Sequence, residues 1–94
     1  MSEIWKDIEG FPNYQVSDHG NVRNKSTEYI LKKLLNKDDY YYVDLYAEAG
    51  KPVHKRIHRL VADAFLGPEP NLVVNHINGD KHDNHSSNIE WVTP

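Results

Sequence analysis

The sequence predicts an α+β fold in which small, mostly antiparallel sheets pack with one short helix. Three observations support this prediction. Residues 40–47 and 53–57 alternate between two faces from one residue to the next, which is the period of a strand. Turn-forming residues such as Gly20, Gly50 and Gly67 separate these segments. Only residues 60–65 change to the spacing of an amphipathic helix.

The N-terminal half is predicted to form short strands joined by tight turns. Residues 4–8 form the first strand of this prediction. Residues 14–17 and 21–24 are the two arms of a hairpin, and the turn at 18–20 ends in a glycine that can adopt positive φ. Residues 29–35 mix apolar and basic side chains and predict a further strand.

The C-terminal half contains the helix between two pairs of predicted strands. Residues 40–47 alternate strongly and continue through a turn into a strand at 53–57. The helix at 60–65 is stopped by Gly67-Pro68. A strand at 72–74 delivers Asn75-His76 at its end, and residues 89–92 form the last strand.

A polar loop rich in Asn, Asp and His joins the last two strands, from Ile77 to Asn88. Loops of this length without an element of their own are often functional. The amide oxygen of Asn75 could bind a hard cation such as Mg²⁺, and neutral imidazole at His76 could act as a general base. The alternative is equally open: the loop's Asn and Asp side chains only brace turns.

Two other kinds of metal site can be compared with the residues of this loop. A helix–loop–helix calcium site counted from Asp80 would need Gly and Glu where the chain has His85 and Trp91, so it is excluded. A structural zinc site formed by His76, His82 and His85 stays as a minor alternative, although the chain has no cysteine. The lack of cysteine also excludes disulfides and suggests an intracellular protein.

The net charge of −3 argues against a protein that coats polyanions, but the basic residues are clustered. Basic residues clustered in the middle of the chain could form a surface that binds a phosphate backbone, or their side chains could simply be solvated. No apolar run is long enough to span a membrane, which predicts a soluble protein. Nine of the eleven basic residues lie between positions 23 and 59: Arg23, Lys25, Lys32, Lys33, Lys37, Lys51, Lys55, Arg56 and Arg59.

Two stretches resemble motifs of the HNH nuclease family, in its branch of phage and intron-encoded homing endonucleases. The stretch HRLVADAFLG…LVVNHINGDKHDNHSSNIEWVTP resembles the HNH domain of that branch. The stretch EIWKDIEGFPNYQVSDHGNVRN is similar to a modular DNA-binding motif that commonly precedes such domains. We therefore predict a nuclease-associated motif at 1–50 and an HNH region at 51–94, together forming one compact unit.

The resemblance implies roles for three residues of the final strands. His76 matches the general base that activates water for attack on the scissile phosphorus. Asn75 matches a ligand of one divalent metal ion, Mg²⁺ or Mn²⁺, and Asn88 matches the residue that braces the loop at the catalytic centre. No organic cofactor is expected.

The resemblance and the basic cluster together predict contacts with double-stranded DNA. Tyr14 could equally belong to the core, and the pair His58-Arg59 could equally cap the helix. The predicted contacts are Tyr14, Gln15, Ser17, Asn21, Arg23, Lys25, Lys55, Arg56, His58 and Arg59.

In the ββα-metal unit of the family, a helix follows the last strand and returns a third metal-binding residue. The chain reaches Pro94 without that helix, so the fold prediction includes only the two strands of the unit. An active DNA endonuclease in the cytoplasm of a host cell is one hypothesis. A non-cleaving relative that binds DNA or a protein partner as a regulator or inhibitor is another, and a fragment completed by a second chain is a third. A His76 ring packed inward, or unpaired final strands, would count against the nuclease kinship.

Overall fold

The computed structural model describes residues 2–47 and 50–94. Within them, eight strands and one α-helix alternate with tight turns, and a short 3₁₀ turn precedes the last strand. The elements are β1 (Trp5–Ile8), β2 (Phe11–Ser17), β3 (Val22–Asn24), β4 (Leu34–Leu35), β5 (Tyr41–Tyr46), β6 (Pro52–Arg56), α1 (Ile57–Phe65), β7 (Val73–His76), the 3₁₀ turn (Ser86–Asn88) and β8 (Ile89–Val92).

The strands form three small antiparallel sheets, ordered β1-β2-β3, β4-β5-β6 and β7-β8. Strands that follow one another in the chain are therefore neighbours in each sheet, and the long polar loop joins β7 to β8. The predicted α+β class with small antiparallel sheets and a short helix is confirmed.

One core lies where α1 meets all three sheets. Val16 comes from the first sheet, Val43 from the second and Ile89 from the third, and each is at most 3% exposed. Ile57 and Val61 of α1 are fully buried against them. The helix begins at Ile57, earlier than predicted, because the apolar stripe also includes that residue.

The predicted strand at 29–35 is wrong over most of its length. Ile30 forms only an isolated bridge with Arg23, and regular pairing is limited to β4. The segment lacks alternation, since two lysines separate Leu31 from β4. Leu31 instead turns toward the core, and its N–H donates to Val22 O at 2.8 Å.

The predicted boundary between residues 50 and 51 falls in the turn that joins β5 and β6. These two strands pair over five positions in one sheet, from Tyr42–Arg56 to Tyr46–Pro52. The boundary between the two predicted motifs therefore runs through a hairpin. The division of the chain at this boundary stays a prediction. In the described part of the chain, the helix is too short and too polar to cross a membrane.

Candidate active site

The final two strands pair as predicted, and their register decides where the predicted site residues point. Asn75 lies opposite Glu90, and His76 lies opposite Ile89. Successive side chains of a strand face opposite sides of the sheet. Asn75 and Glu90 are accordingly exposed, whereas His76 and Ile89 are buried. Two residues that are neighbours in the sequence thus lie on opposite faces of the hairpin.

The His76 ring is packed inward and is only 7% exposed. Its Nε2 lies 2.7 Å from Oδ1 of Asn84, and its ring centroid lies 5.3 Å from that of His58 and 6.1 Å from that of Tyr40. With the Asn84 amide oxygen facing the ring, a neutral His76 that donates from Nε2 keeps its lone pair on Nδ1. By the criteria given above, the inward ring counts against the nuclease kinship, whereas the pairing of the final two strands supports it.

Asn84 holds this imidazole, and sequence analysis did not single it out. It is 3% exposed, and its Nδ2 finds no hydrogen-bond partner in the part of the chain that the structure describes. The turn at Gly20 packs directly against it: a Cβ at Gly20 would lie 2.8 Å from Asn84 Cβ. The N-terminal hairpin therefore positions the partner of His76.

Asn88 ties the two ends of the polar loop together. Its Oδ1 accepts from Asn78 N–H at 3.1 Å, and its Nδ2 donates to Asn78 Oδ1 and to Asp83 O, both at 2.9 Å. These are bracing contacts of the kind that the resemblance implies. They hold the loop without placing Asn88 on a reacting group.

Asn75 and Glu90 form the pair of oxygen donors that best suits a hard cation. Asn75 Nδ2 donates to Glu90 Oε2 at 3.0 Å, which leaves the amide oxygen of Asn75 beside a carboxylate on an exposed face. Mg²⁺ and Mn²⁺ prefer such oxygen ligands and complete their shells with water and phosphate. The residues present therefore fit a divalent cation. The sequence could have indicated Glu90 through the strand alternation, once the pairing register was known.

His58, a predicted DNA contact, is 7% exposed and lies between the rings of Tyr40 and His76. Burial is the main cause that lowers its pKa from 6.5 to about 4, and His76, Arg56 and Arg59 lower it further. His58 is therefore neutral at pH 7 and packs as part of an aromatic cluster. Its burial leaves little of the His58 ring accessible, and its contact with DNA stays a prediction.

Mild acid is expected to destabilise the fold through His58. The unfolded chain takes up this proton near pH 6.5 and the folded chain only near pH 4, because burial lowers the folded pKa to about 4. Stability is then complete above this window and falls as the pH decreases through it, by about 3 kcal/mol in total. Urea unfolding between about pH 7 and pH 5 measures this slope. His58→Gln should flatten the slope.

A groove of about 520 Å³ runs beside this cluster, between β7 and the start of α1. Four of the predicted DNA contacts share this surface, and they are Lys55, Arg56, His58 and Arg59. Arg59 is anchored, because it stacks over the ring of Trp91 at 4.8 Å and donates to Leu72 O at 3.2 Å. Arg56 is exposed. The groove offers positive charge to a phosphate backbone.

Three N-terminal candidates lie together on the sheet of β1, β2 and β3. Gln15 accepts from Arg23 Nε at 3.0 Å and donates to Asp7 Oδ1 at 3.0 Å. Lys25 forms an ion pair with Asp7 at 3.0 Å, and Arg23 stacks over the Trp5 ring at 4.1 Å. The surface is polar and partly neutralised by its own carboxylate.

The other three N-terminal candidates have structural contacts. Ser17 is fully buried, and its hydroxyl accepts from the N–H groups of His19 and Asn21, so it is not presented to DNA. Asn21 donates to Glu3 Oε2 at 2.9 Å. Tyr14 packs against the core, and its hydroxyl accepts from Tyr46 N–H at 3.3 Å.

The alternative zinc site is not formed, because the structure separates its three histidines. His76 is bound to Asn84, and His82 Nε2 lies 3.0 Å from Asp39 Oδ1. His85 instead packs against His19, with ring centroids 4.9 Å apart.

Comparisons with known proteins match both halves of the chain. Residues 55–94 match the family model described as HNH endonuclease, and residues 3–46 match the model of the NUMOD4 motif. The chain is 50% identical over 97 residues to an uncharacterized HNH endonuclease of Acanthamoeba polyphaga mimivirus, covering 98% of this chain and 24% of the relative. It is 43% identical over 91 residues to the DNA endonuclease I-HmuI of Bacillus phage SP01, covering 95% of this chain and 52% of the relative.

The fold is also that of a solved relative. The structure that describes DNA binding and cleavage by the HNH homing endonuclease I-HmuI superposes with a TM-score of 0.87 at 42% identity, covering 96% of this chain and 52% of that one. The chain thus spans between about a quarter and a half of the length of these relatives. The buried ring therefore does not overturn the kinship, since both motifs and the fold match. The chain thus carries a NUMOD4 motif at residues 3–46 and an HNH endonuclease region at residues 55–94, in the fold of I-HmuI.

Proposed function

We propose that this chain acts as a divalent-metal-dependent DNA endonuclease in which His76 is the general base for phosphodiester hydrolysis. The observation that carries the proposal is the His76 imidazole, which Asn84 holds at the end of β7, 2.7 Å from Nε2 to Oδ1. The cationic groove lined by Arg56 and Arg59 lies next to the same aromatic cluster. The relative I-HmuI is described as binding and cleaving DNA, which is the reaction proposed here.

The hydrogen bond from Nε2–H to Asn84 orients the ring and leaves Nδ1 to accept a proton from water. Proton transfer also requires access, since the ring is 7% exposed. The side chains around it must therefore open a path for the attacking water. Tyr40, which packs beside both His58 and His76, is one such side chain.

Asn75 and Glu90 would hold the metal ion through their oxygen atoms, on the face of the hairpin opposite His76. The proposal therefore requires His76, at the end of β7, to turn toward the phosphodiester that the ion binds. A bound Mg²⁺ or Mn²⁺ supplies positive charge that stabilises the phosphodiester as negative charge builds on its oxygens. An amide oxygen is a weaker ligand than a carboxylate, so the ion is expected to bind weakly through protein ligands alone. The phosphate oxygens of DNA would then contribute to its retention.

Nicking of supercoiled plasmid by the full chain tests the function directly. We expect nicked product with Mg²⁺ or Mn²⁺ and none when the metal is chelated. Circular dichroism on the same sample establishes that the protein is folded. Intact plasmid after incubation of folded protein with either metal would contradict the endonuclease proposal.

DNA binding is expected to depend on Arg56 through its charge. Arg56→Gln should weaken binding to a labelled duplex at every sequence tested and lower the salt slope of the affinity by about one ion. Lys32→Gln makes the same charge change at an exposed residue that does not line the groove, and it should leave the slope unchanged. Fluorescence anisotropy over a range of salt concentrations measures both. An equal effect of the two substitutions would place the DNA away from the groove.

A second function is favoured by the buried His76 ring and by an amide at Asn75 where a carboxylate would bind metal better. In it, the chain binds DNA or a protein partner as a regulator or inhibitor, without cleavage. Salt-dependent DNA binding without nicking would support this function. Absence of DNA affinity even at low salt would favour the protein partner. The cytoplasm of a host cell stays the expected location in either case.

A further inference from the structure

A group of three metal-binding side chains lies where the N-terminal hairpin meets the polar loop. Asp18 and His19 belong to the turn between β2 and β3, and His85 comes just before the 3₁₀ turn. One ligand atom from each lies within 4.8 Å of the other two. These residues are separate from Asn75 and Glu90, and the endonuclease proposal does not use them.

Backbone contacts hold this junction together before any ion binds. Asp18 O accepts from Ser86 N–H at 2.8 Å, which joins the turn directly to the loop. Asp18 Oδ1 accepts from Ile4 N–H at 2.9 Å, and Asp18 N–H donates to Ile4 O at 3.0 Å. The carboxylate is therefore positioned, whereas His19 is exposed and packs on one side against the His85 ring.

The ligand atoms need only a small movement to surround one ion. Zinc bound tetrahedrally at its usual bond lengths places neighbouring ligand atoms about 3.3 Å apart. His19 Nε2 already lies 3.8 Å from Asp18 Oδ1. The two imidazole centroids are 4.9 Å apart, so a modest rotation of the exposed ring closes the group.

Ser87 is placed to support His85 as a ligand. Nδ1 of His85 lies 2.9 Å from Ser87 Oγ and accepts from Ser87 N–H at 3.1 Å. If a metal takes Nε2, the ring proton moves to Nδ1, which then gives up the bond from Ser87 N–H and donates to the hydroxyl oxygen instead. Metal-binding histidines usually donate their second N–H to such an acceptor, which fixes the ring orientation.

We propose that Asp18, His19 and His85 form a binding site for a zinc-class divalent ion that fastens the N-terminal hairpin to the loop carrying Asn84. Two imidazoles and one carboxylate select zinc and its neighbours in the transition series over Mg²⁺. Three protein ligands leave a fourth position for water. Because Asn84 packs against Gly20 of the same turn, the ion would also stabilise the contact that holds His76.

The chain contains two matched controls for this site. His54 pairs with Asp44, and His82 pairs with Asp39. Each pair offers one imidazole and one carboxylate, as Asp18 and His19 do, but the structure places no third His, Cys, Asp or Glu ligand with them among the described residues. A site that depends on three ligands should therefore distinguish His19 and His85 from His54 and His82.

The test is a titration of the full chain with Zn²⁺ alone, without DNA or Mg²⁺, followed by calorimetry and thermal unfolding. We expect one ion per chain and a rise in Tm of about 10 °C when zinc exceeds its Kd about 100-fold. His19→Gln and His85→Asn should weaken binding at least about 10-fold, since even outer-shell changes commonly cost about 10- to 100-fold. His54→Gln and His82→Gln should leave the affinity unchanged. Co²⁺ in place of Zn²⁺ should show the visible absorption of a tetrahedral site.

The outcomes separate this site from the proposed catalytic metal site. Zinc binding that survives His19→Gln, or that is lost equally in His54→Gln, would overturn the proposal. Loss of zinc in Asn75→Ala with retention in His19→Gln would place the ion at the other site and would also overturn it. His85→Asn retains an acceptor for Ser87 N–H and should therefore fold. If this variant nevertheless unfolds, zinc binding by His19→Gln, which changes an exposed residue, decides whether the proposal stands. Zinc binding at the three residues stands whether or not the chain nicks plasmid.

Discussion

Replacement of His76 by glutamine is expected to lower the rate of plasmid nicking by about 100- to 10,000-fold, the usual contribution of a general base. Glutamine can still donate a hydrogen bond to Asn84 Oδ1, so the buried contact is retained while the proton acceptor is lost. The initial rate of nicking at saturating Mg²⁺ or Mn²⁺ measures the effect. Thermal unfolding of the same variant should stay close to that of the parent chain.

His82→Gln provides the control for this substitution. His82 belongs to the same polar loop, but it is exposed and pairs with Asp39 away from the aromatic cluster. Its nicking rate should equal that of the parent chain. If His76→Gln also cleaved at the parental rate, His76 would not be the general base.

Gly20→Ala is expected to destabilise the fold by about 4 kcal/mol, through backbone strain and overpacking together. Gly20 has φ of +84°, a conformation that L side chains rarely adopt, and its new Cβ would lie 2.8 Å from Asn84 Cβ and 3.1 Å from Asn84 O. The backbone oxygen cannot move aside without shifting the loop. Because small domains are stable by only about 5–15 kcal/mol, this loss is large. Equilibrium urea unfolding measures it.

Gly10→Ala separates the two causes. Gly10 has nearly the same φ, +83°, but no atom lies within 4 Å of its would-be Cβ. This substitution should cost only the backbone strain, about 1–2 kcal/mol. The difference between the two variants then reports the close packing of the hairpin turn on Asn84. Equal losses would show that this packing contributes nothing.

The local patterns of the sequence determined most of the fold. The hairpin around 18–20, the alternating strand at 41–46 and the final strands at 73–76 and 89–92 depend on period and turn residues, which short stretches specify by themselves. The strand predicted at 29–35 failed because that stretch does not alternate, and its one bridge depends on contacts with a distant strand.

The site was predicted only in part, since its residue types are local and its geometry is not. Asn75, His76 and Asn88 stand out in the sequence, and the structure places Asn88 in the bracing contacts expected of it. The partner of Asn75, which is Glu90, follows only from the register of two strands separated by a long loop.

The sequence by itself determined the α+β class, the hairpins and the family resemblance, because each depends on patterns within short stretches of residues. Only the tertiary structure decided that His76 is buried against Asn84, and that Asp18 and His19 meet His85. Each of these contacts joins residues from different elements of the chain. Their distances are determined by how the sheets pack on α1 and by the close approach at Gly20, which no local pattern records.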